Sequence, residues 1–392
     1  MVHSSCTIIG AGLVGSATAL HLNQLGFSVR ILDKRPSTIV PQSDSRALVL
    51  SHSSRKILSD LDLWSRLKKH LRPIMEVHVT EARAFGRVIL ASKEVGLDAL
   101  GWSCDANALL SVLQEAIQNS PSIESHWNTE IAELNFIDDV WSLECNKKDQ
   151  RTCMESDLLV AADGTDSVVC EFLKVSADST EYDQSAIVSI LNIDKDLGDK
   201  AYLRFLDKGS MALIPTISGQ VVSVLCLPEK MAEQLTGFSD DRFIIFLEES
   251  FGRRLGNSLR CGPRKKHFIR RQSLSKTNYG RCVTLGNAAN TLHPNGAQGL
   301  NLGFRDVHVL GTCLVKSAGN LDDALRSYNS ERRFDHFSTG LYSDLLAQLF
   351  ASNLGLARLT RRALMGLVGN VRPLKRRLIL RSTGLISSLS SN

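Results

Sequence analysis

The chain has no cysteines spaced as C-x-x-C, and its cysteine count, nine, is odd. That argues against zinc, iron–sulfur and disulfide frameworks, so no metal site is expected, and scattered thiols suit a reducing cytoplasm. No apolar run is long enough to span a bilayer. A strand is needed from about Cys6, which leaves no room for a removable apolar leader before it. There is no low-complexity tract and no internal repeat. Acidic residues are missing from the stretch 345–392, which carries eight Lys and Arg. The net charge of +5 therefore belongs to a tail. With no aromatic residues interleaved, that tail does not read as a nucleic-acid groove. At 392 residues the chain is long enough to bury two sizeable cores.

What the chain does have is three glycine-bearing stretches far apart in sequence. The first, Gly10-Ala11-Gly12-Leu13-Val14-Gly15, lies between an apolar strand at 6–9 and a helix expected over 13–25. A second strand at 27–33 ends on Asp33. In this context the glycines allow a tight turn, close approach to a pyrophosphate and close helix–strand packing, and Asp33 can accept bonds from ribose hydroxyls. The second stretch, Ala162-Asp163-Gly164 with Ser167, follows a buried strand at 158–161. The third runs Leu285-Gly286-Asn287-Ala288 and then His293-Pro294-Asn295-Gly296-Ala297-Gln298-Gly299. There Pro294 ends an extended stretch and the glycines let main chain approach a flat ligand. A helix expected over 300–315 aims the amides of Leu300 and its neighbours at that ligand. Only one dinucleotide fingerprint exists, so two bound dinucleotides are not expected. One adenine-dinucleotide flavin, FAD, gripped at three places explains all three stretches.

Periodicity adds amphipathic helices at 54–68 and 106–117, strands at 201–206, 210–215 and 220–227, and a helix at 240–251. The expected class is α/β. A discontinuous FAD-binding Rossmann-type domain covers 1–70, 100–180 and 270–345. An inserted, mostly antiparallel substrate domain covers 71–99 and 181–269. A basic helical region, 346–392, closes the chain.

The same stretches resemble the FAD-binding marks of the class A aromatic hydroxylases, which have the para-hydroxybenzoate hydroxylase fold. Within these, the chain is most similar to the ubiquinone-biosynthesis hydroxylases of the UbiH-like, 2-polyprenyl-6-methoxyphenol hydroxylase branch. Ser45-Arg46-Ala47-Leu48-Val49-Leu50, Leu158 through Thr165, and Thr284 through Pro294 continuing as Gly299-Leu300-Asn301-Leu302-Gly303-Phe304-Arg305-Asp306 carry the likeness. It covers nearly the whole chain. The resemblance implies that Asp163 and Gly164 lie near the pyrophosphate and also serve a passing nicotinamide cofactor. It implies that Arg46 neutralises phosphate or ribose oxygens, and that Gly286, Asn287, Gly299, Leu300 and Asn301 line the flavin. Asn107 stands where relatives commonly have Arg or Gln. Asn287 replaces the usual Asp, which marks the UbiH-like branch and removes charge from that hydrogen bond. Asn295-Gly296-Ala297 departs from the relatives' pattern of an apolar residue, Ala and Gly.

The activity so implied is hydroxylation of a polyprenylated methoxyphenol through a flavin hydroperoxide. NADPH or NADH is the transient electron donor and dioxygen the co-substrate. Met211, Leu213 and Pro215, alternating along one strand, are expected to floor the phenol site, with plain core as the competing reading. His293 and Pro294 are the flavin-proximal candidates for catalysis, although a histidine before proline more often packs or hydrogen-bonds. Two alternatives stay open: a non-catalytic prenylphenol-binding or scaffold member of a ubiquinone-biosynthesis complex, and a related FAD-dependent polyprenyl reductase. The basic tail either packs on the cofactor domain or touches an anionic inner-membrane surface or a partner complex.

Overall fold

The computed structural model describes residues 4–36, 47–82, 87–148, 150–252, 255–256, 259–351 and 355–385. Its first layer is a six-stranded sheet in the order Asn278–Tyr279, Cys282–Thr284, Leu158–Ala161, Ser5–Ile9, Ser28–Asp33 and Ile123–Trp127. The last five are parallel, and register pairs Ile9 with Ala161 and Ala161 with Thr284. Three neighbouring strands thus end level with one another. The turns that follow them hold Gly10, Asp163-Gly164 and Gly286, so the three motifs share one crevice at the carboxyl edge of the sheet, where doubly wound folds bind ligands.

Helices Leu13–Gln24, Ala106–Gln118 and Gln298–Lys316 pack with this sheet into the larger core. The small buried residues Ala17 and Ala19 let the first helix lie close. The helix expected at 54–68 is instead two, His52–Asp60 and Trp64–Leu67. Asp62 turns the chain at φ 58° between them, so Leu61 and Leu63 are both buried rather than one facing water. A three-stranded meander, Glu130–Ile137, Val140–Lys147 and Gln150–Ser156, was not legible in the periodicity. Neither was the small sheet of Ala47–Leu50, Gly101–Asp105 and Leu71–Ile74.

The second layer is a nine-stranded, mostly antiparallel sheet built on Asp178–Ile193, Val221–Pro228, Ser210–Pro215 and Lys200–Phe205. Glu76–Glu81 joins it in parallel beside Lys200–Phe205. At its other edge Lys265–Ser273 and Asn290–Thr291 tie it to the third glycine stretch. Helices Glu229–Thr236 and Asp240–Phe251 cover one face with a second core that includes Ile187, Leu213, Leu225 and Phe243. The opposite face is left for a cavity. Helices Leu321–Ala351, Gly355–Asn370 and Arg372–Ser382 follow.

Between Gln298–Lys316 and Leu321–Ala351 lies a buried charge network. Arg332 Nε and His336 Nε2 each reach Asp306 Oδ1 at 2.7 Å, while Arg332 and Arg305 contact Asp335 at 2.6 and 2.8 Å. Burial pushes both carboxyls up. His336 and Arg332 around Asp306, and Arg332 and Arg305 around Asp335, outweigh it and hold both below the ordinary range. Depressed carboxyls stabilise the fold above their unfolded value of about 4, and that contribution is lost as pH falls below it. Acid unfolding is therefore expected below about pH 4. Asp306→Asn leaves Arg332 buried and underpaired, which should cost about 3–5 kcal/mol in urea unfolding and weaken the acid transition.

Candidate flavin and substrate site

Gly10 sits at φ +100°, and a Cβ there would lie 2.5 Å from the Ala162 carbonyl oxygen. A Cβ at Gly15 would lie 1.8 Å from the Gly10 carbonyl oxygen. These two glycines are needed for packing. Gly12 differs: among the described residues nothing lies within 4 Å of its Cβ position. It caps the first helix without a side-chain hydrogen bond, and no acid stands in the first turn. The amides of Leu13, Val14 and Gly15 have no carbonyl one turn back. An open, uncapped, acid-free helix start fits a pyrophosphate.

Asp33 is the clamp behind this loop. Its Oδ2 accepts from the Ala11 amide at 2.7 Å and from Arg35 Nη2 at 2.6 Å, and its Oδ1 from the Arg35 amide and Nε. Burial raises its pKa, but the hydrogen bonds of Arg35 hold it below the usual range. Both acceptor directions of each oxygen are used, so a ribose hydroxyl reaches this carboxylate only by displacing Arg35. Arg35, half exposed, was not singled out by the sequence reading.

Asp163 behaves oppositely. Its Oδ2 accepts from the Val169 amide at 3.3 Å, but Oδ1 is buried with no partner among the described residues, and burial raises its pKa. A hydroxylated ligand in the crevice would relieve it. Gly164 beside it is open at φ +95°. Gly286, at φ +58°, donates its amide to Asp306 at 3.0 Å. Val14 wedges between Gly286 and Gly303, at 3.1 and 2.7 Å from their Cβ positions. Asn287 is exposed, its Oδ1 3.9 Å from the Cβ position of Gly299. The groove thus runs from Gly12 past Asp163 to the start of Gln298–Lys316. That helix begins two residues earlier than expected, capped by Ala297 in the left-handed region at φ 51° with no side-chain bond. The amides of Gln298, Gly299 and Leu300 form its uncapped first turn.

Two expected site residues are placed differently. Asn301 is buried with its side chain fully used. Oδ1 accepts from the Ser51 amide and the Ser54 hydroxyl, and Nδ2 donates to the Val49 and Ala297 carbonyls. It clamps the helix start and offers a ligand only main chain. His293 faces away from the cavity: Nε2 donates to Gln184 at 3.1 Å, and Nδ1 accepts from the Asn295 amide at 3.2 Å. Burial lowers its pKa to about 4, which makes it a neutral buttress rather than a proton carrier. Arg46 lies outside the described residues. Asn107 is the second residue of Ala106–Gln118, which starts just after the pairing of Asp105 with Ala47.

A cavity of about 790 Å³ adjoins the groove, lined by Leu48 and Val49, by Pro294, Gly299 and Leu300, and by the free face of the nine-stranded sheet. The expectation for Met211, Leu213 and Pro215 fails in phase. Met211 and Leu213 are fully buried in the core under the helices. Ser210, Ala212 and Ile214, the alternate set, line the cavity instead, and Pro215 is not among the lining residues. Met211 and Leu213 pack in the helix-covered core, while Ser210 and Ala212 leave room on the other face. Gly12→Leu should keep the fold and the melting transition but purify without flavin. Gly15→Ala, clashing with main chain, should lower the melting temperature first. A yellow Gly12→Leu protein would contradict this assignment.

The model of the FAD binding domain family matches residues 3–335. The chain is 27% identical to the 3-demethoxyubiquinol 3-hydroxylase of Escherichia coli over 96% of this chain and 98% of that one. It is 26% identical to the ubiquinone hydroxylase UbiL of Rhodospirillum rubrum over 97% and 89%. Its fold is similar to p-nitrophenol 4-monooxygenase PnpA of Pseudomonas putida, with TM-score 0.83, 17% identity, and 98% and 99% of the two chains covered. It is also similar to an FAD complex of HpxO from Klebsiella pneumoniae, with TM-score 0.78, 16% identity, and 98% and 99% covered. With three glycine turns on one crevice and a sheet-walled cavity beside them, the chain belongs to the FAD binding domain family and is a flavin-dependent enzyme of the para-hydroxybenzoate hydroxylase fold.

Proposed function

We propose that this protein is a monooxygenase that hydroxylates the aromatic ring of a polyprenylated methoxyphenol in ubiquinone biosynthesis, with NADPH or NADH as electron donor. One observation carries the reading: a large, largely apolar cavity opens directly onto the loop and helix start that close the flavin groove. Its volume lies within the usual range for small-molecule sites. The chemistry supplied by bound flavin is activation of dioxygen toward an electron-rich ring carbon. The chain's own part is positional. The first-turn amides of Gln298–Lys316 favour negative charge at the edge they face. The small face of Ala186, Ala201 and Ala212 accepts a flat ring, and Val188, Ile214 and Val224 shield it from water. The two named relatives are, by their names, a 3-demethoxyubiquinol hydroxylase and a ubiquinone hydroxylase, which supports this choice of substrate.

A prenylated substrate is best met at a lipid surface. Among the described residues no helix is long and apolar enough to cross a membrane. Phe334, Phe337, Leu341 and Leu345 nevertheless form an exposed stripe on Leu321–Ala351, with Phe334 at 76% and Phe337 at 64% exposure. Phe334 shares a cleft with the cationic Arg377 and Arg381. We read this as a peripheral contact with anionic lipid.

Purified protein should oxidise NADPH or NADH faster when a short-tailed prenylated methoxyphenol is added, and the product should gain one oxygen by mass. No acceleration and no product would reject the hydroxylase in favour of a binding or scaffold role. On vesicles containing phosphatidylserine, Phe334→Ser with Phe337→Ser should reduce sedimentation several-fold, and raised salt should weaken the wild type. Unchanged sedimentation would remove the membrane contact.

A further inference from the structure

The loop between the extended stretch and the helix Gln298–Lys316 carries one polar side chain that the packing leaves unfinished. Asn295 is 6% exposed and lies on the cavity wall. Its Oδ1 accepts from the Ser210 hydroxyl at 3.3 Å, and its Nδ2 is buried with no partner among the described residues. The other polar side chains nearby are engaged. Thr291 bonds Thr165, Arg270 pairs with Asp166, and Ser210 serves Asn295 itself. A buried donor without an acceptor is unfavourable unless a ligand completes it.

Asn295 is also held from both sides. Its own amide donates to the neutral Nδ1 of His293, whose Nε2 is tied to Gln184. Ser210 sets the orientation of the side-chain amide, with Oδ1 toward the sheet. Gly296 at φ +90° and Ala297 at φ 51° then turn the chain into the helix start. The donor therefore stands at the flavin end of the cavity, while Val77, Val188, Ile214 and Val224 line apolar walls elsewhere in it. A ligand with one oxygenated ring and one apolar tail can meet this donor with its oxygen and the valine-lined walls with its tail.

We infer that Asn295, oriented by Ser210, is the positioning residue for the substrate, donating through Nδ2 to the ring oxygen of a phenol or phenolate whose apolar tail lies along the sheet face. This rests on the substrate class proposed above and deepens it. An amide suits the task because it donates without titrating, and phenolate, the better acceptor and more electron-rich ring, is favoured over phenol.

The test is equilibrium dialysis of the FAD-loaded protein against two probes, 2-prenyl-6-methoxyphenol and its counterpart lacking the hydroxyl, with no reductant present. Wild type should hold the phenol roughly tenfold more tightly than the counterpart. Asn295→Leu should erase that preference while keeping the counterpart's affinity and one flavin per chain. Ser210→Ala, which frees the amide to rotate, should reduce the preference without abolishing it. A tenfold preference surviving in Asn295→Leu, or equal binding of both probes by wild type, would overturn the assignment of Asn295 alone. Binding of neither probe by wild type would overturn the phenol reading together with it. If Asn295→Leu does not fold, Ser210→Ala decides, and an undiminished preference there overturns the proposal.

Discussion

The amide of Gly286 donates to Asp306, and the Val14 side chain fills the space between Gly286 and Gly303. Through these contacts the first helix, the third glycine turn and the helix Gln298–Lys316 are fixed against one another. Gly10, pressed against Ala162 and Asp163, fixes the second turn to the first. Asp306 in turn is held by Arg332 and His336 from the long helix behind it. Removing any of these close approaches would part the walls of the groove. Stability and cofactor geometry therefore depend on the same small set of contacts, and a buried ion network is costly to break on one side.

Much of this was legible in the residues. The strand–glycine–helix opening, the buried strand before Asp163 and the level of the third turn follow from short apolar runs ending at glycine. The helix Asp240–Phe251 was placed to the residue. What could not be read was phase and partnership. Ser210–Pro215 alternates as expected, yet which set faces the cavity depends on the helices that cover the sheet, and these are distant in sequence. The more apolar set looked like a binding floor because burial and binding both select apolar residues. Nothing local to Asn301 announces that its polar atoms are already taken, since partners lie some 250 residues away, while Asp33 is tied to Arg35 only two residues on, where the chain bends the two side chains together. The break at Asp62 was hidden because Leu61 and Leu63 fit a helical stripe as well as a tight turn.

The two sheets divide the labour. The parallel sheet offers the flavin main chain and helix starts, a grip that depends little on side chains. The antiparallel sheet supplies shape, with small residues on one face and a helix-backed core on the other. The Pro294–Gly299 loop belongs to both, because it closes the groove and lines the cavity. Specificity is therefore expected to concentrate there and on the alternating face that begins with Ser210. His293, often a tempting catalyst, serves that loop by holding the Asn295 amide in place.

The most direct measurement is a high-resolution crystal structure of the purified protein with its flavin. The account predicts continuous flavin density along one crevice, with the pyrophosphate on the amides beside Gly12, the ribityl chain passing Asp163 and Asn287, and the ring against the Pro294–Gly299 loop at the mouth of the cavity. Flavin density elsewhere, or a ring separated from that cavity by packed side chains, would contradict it.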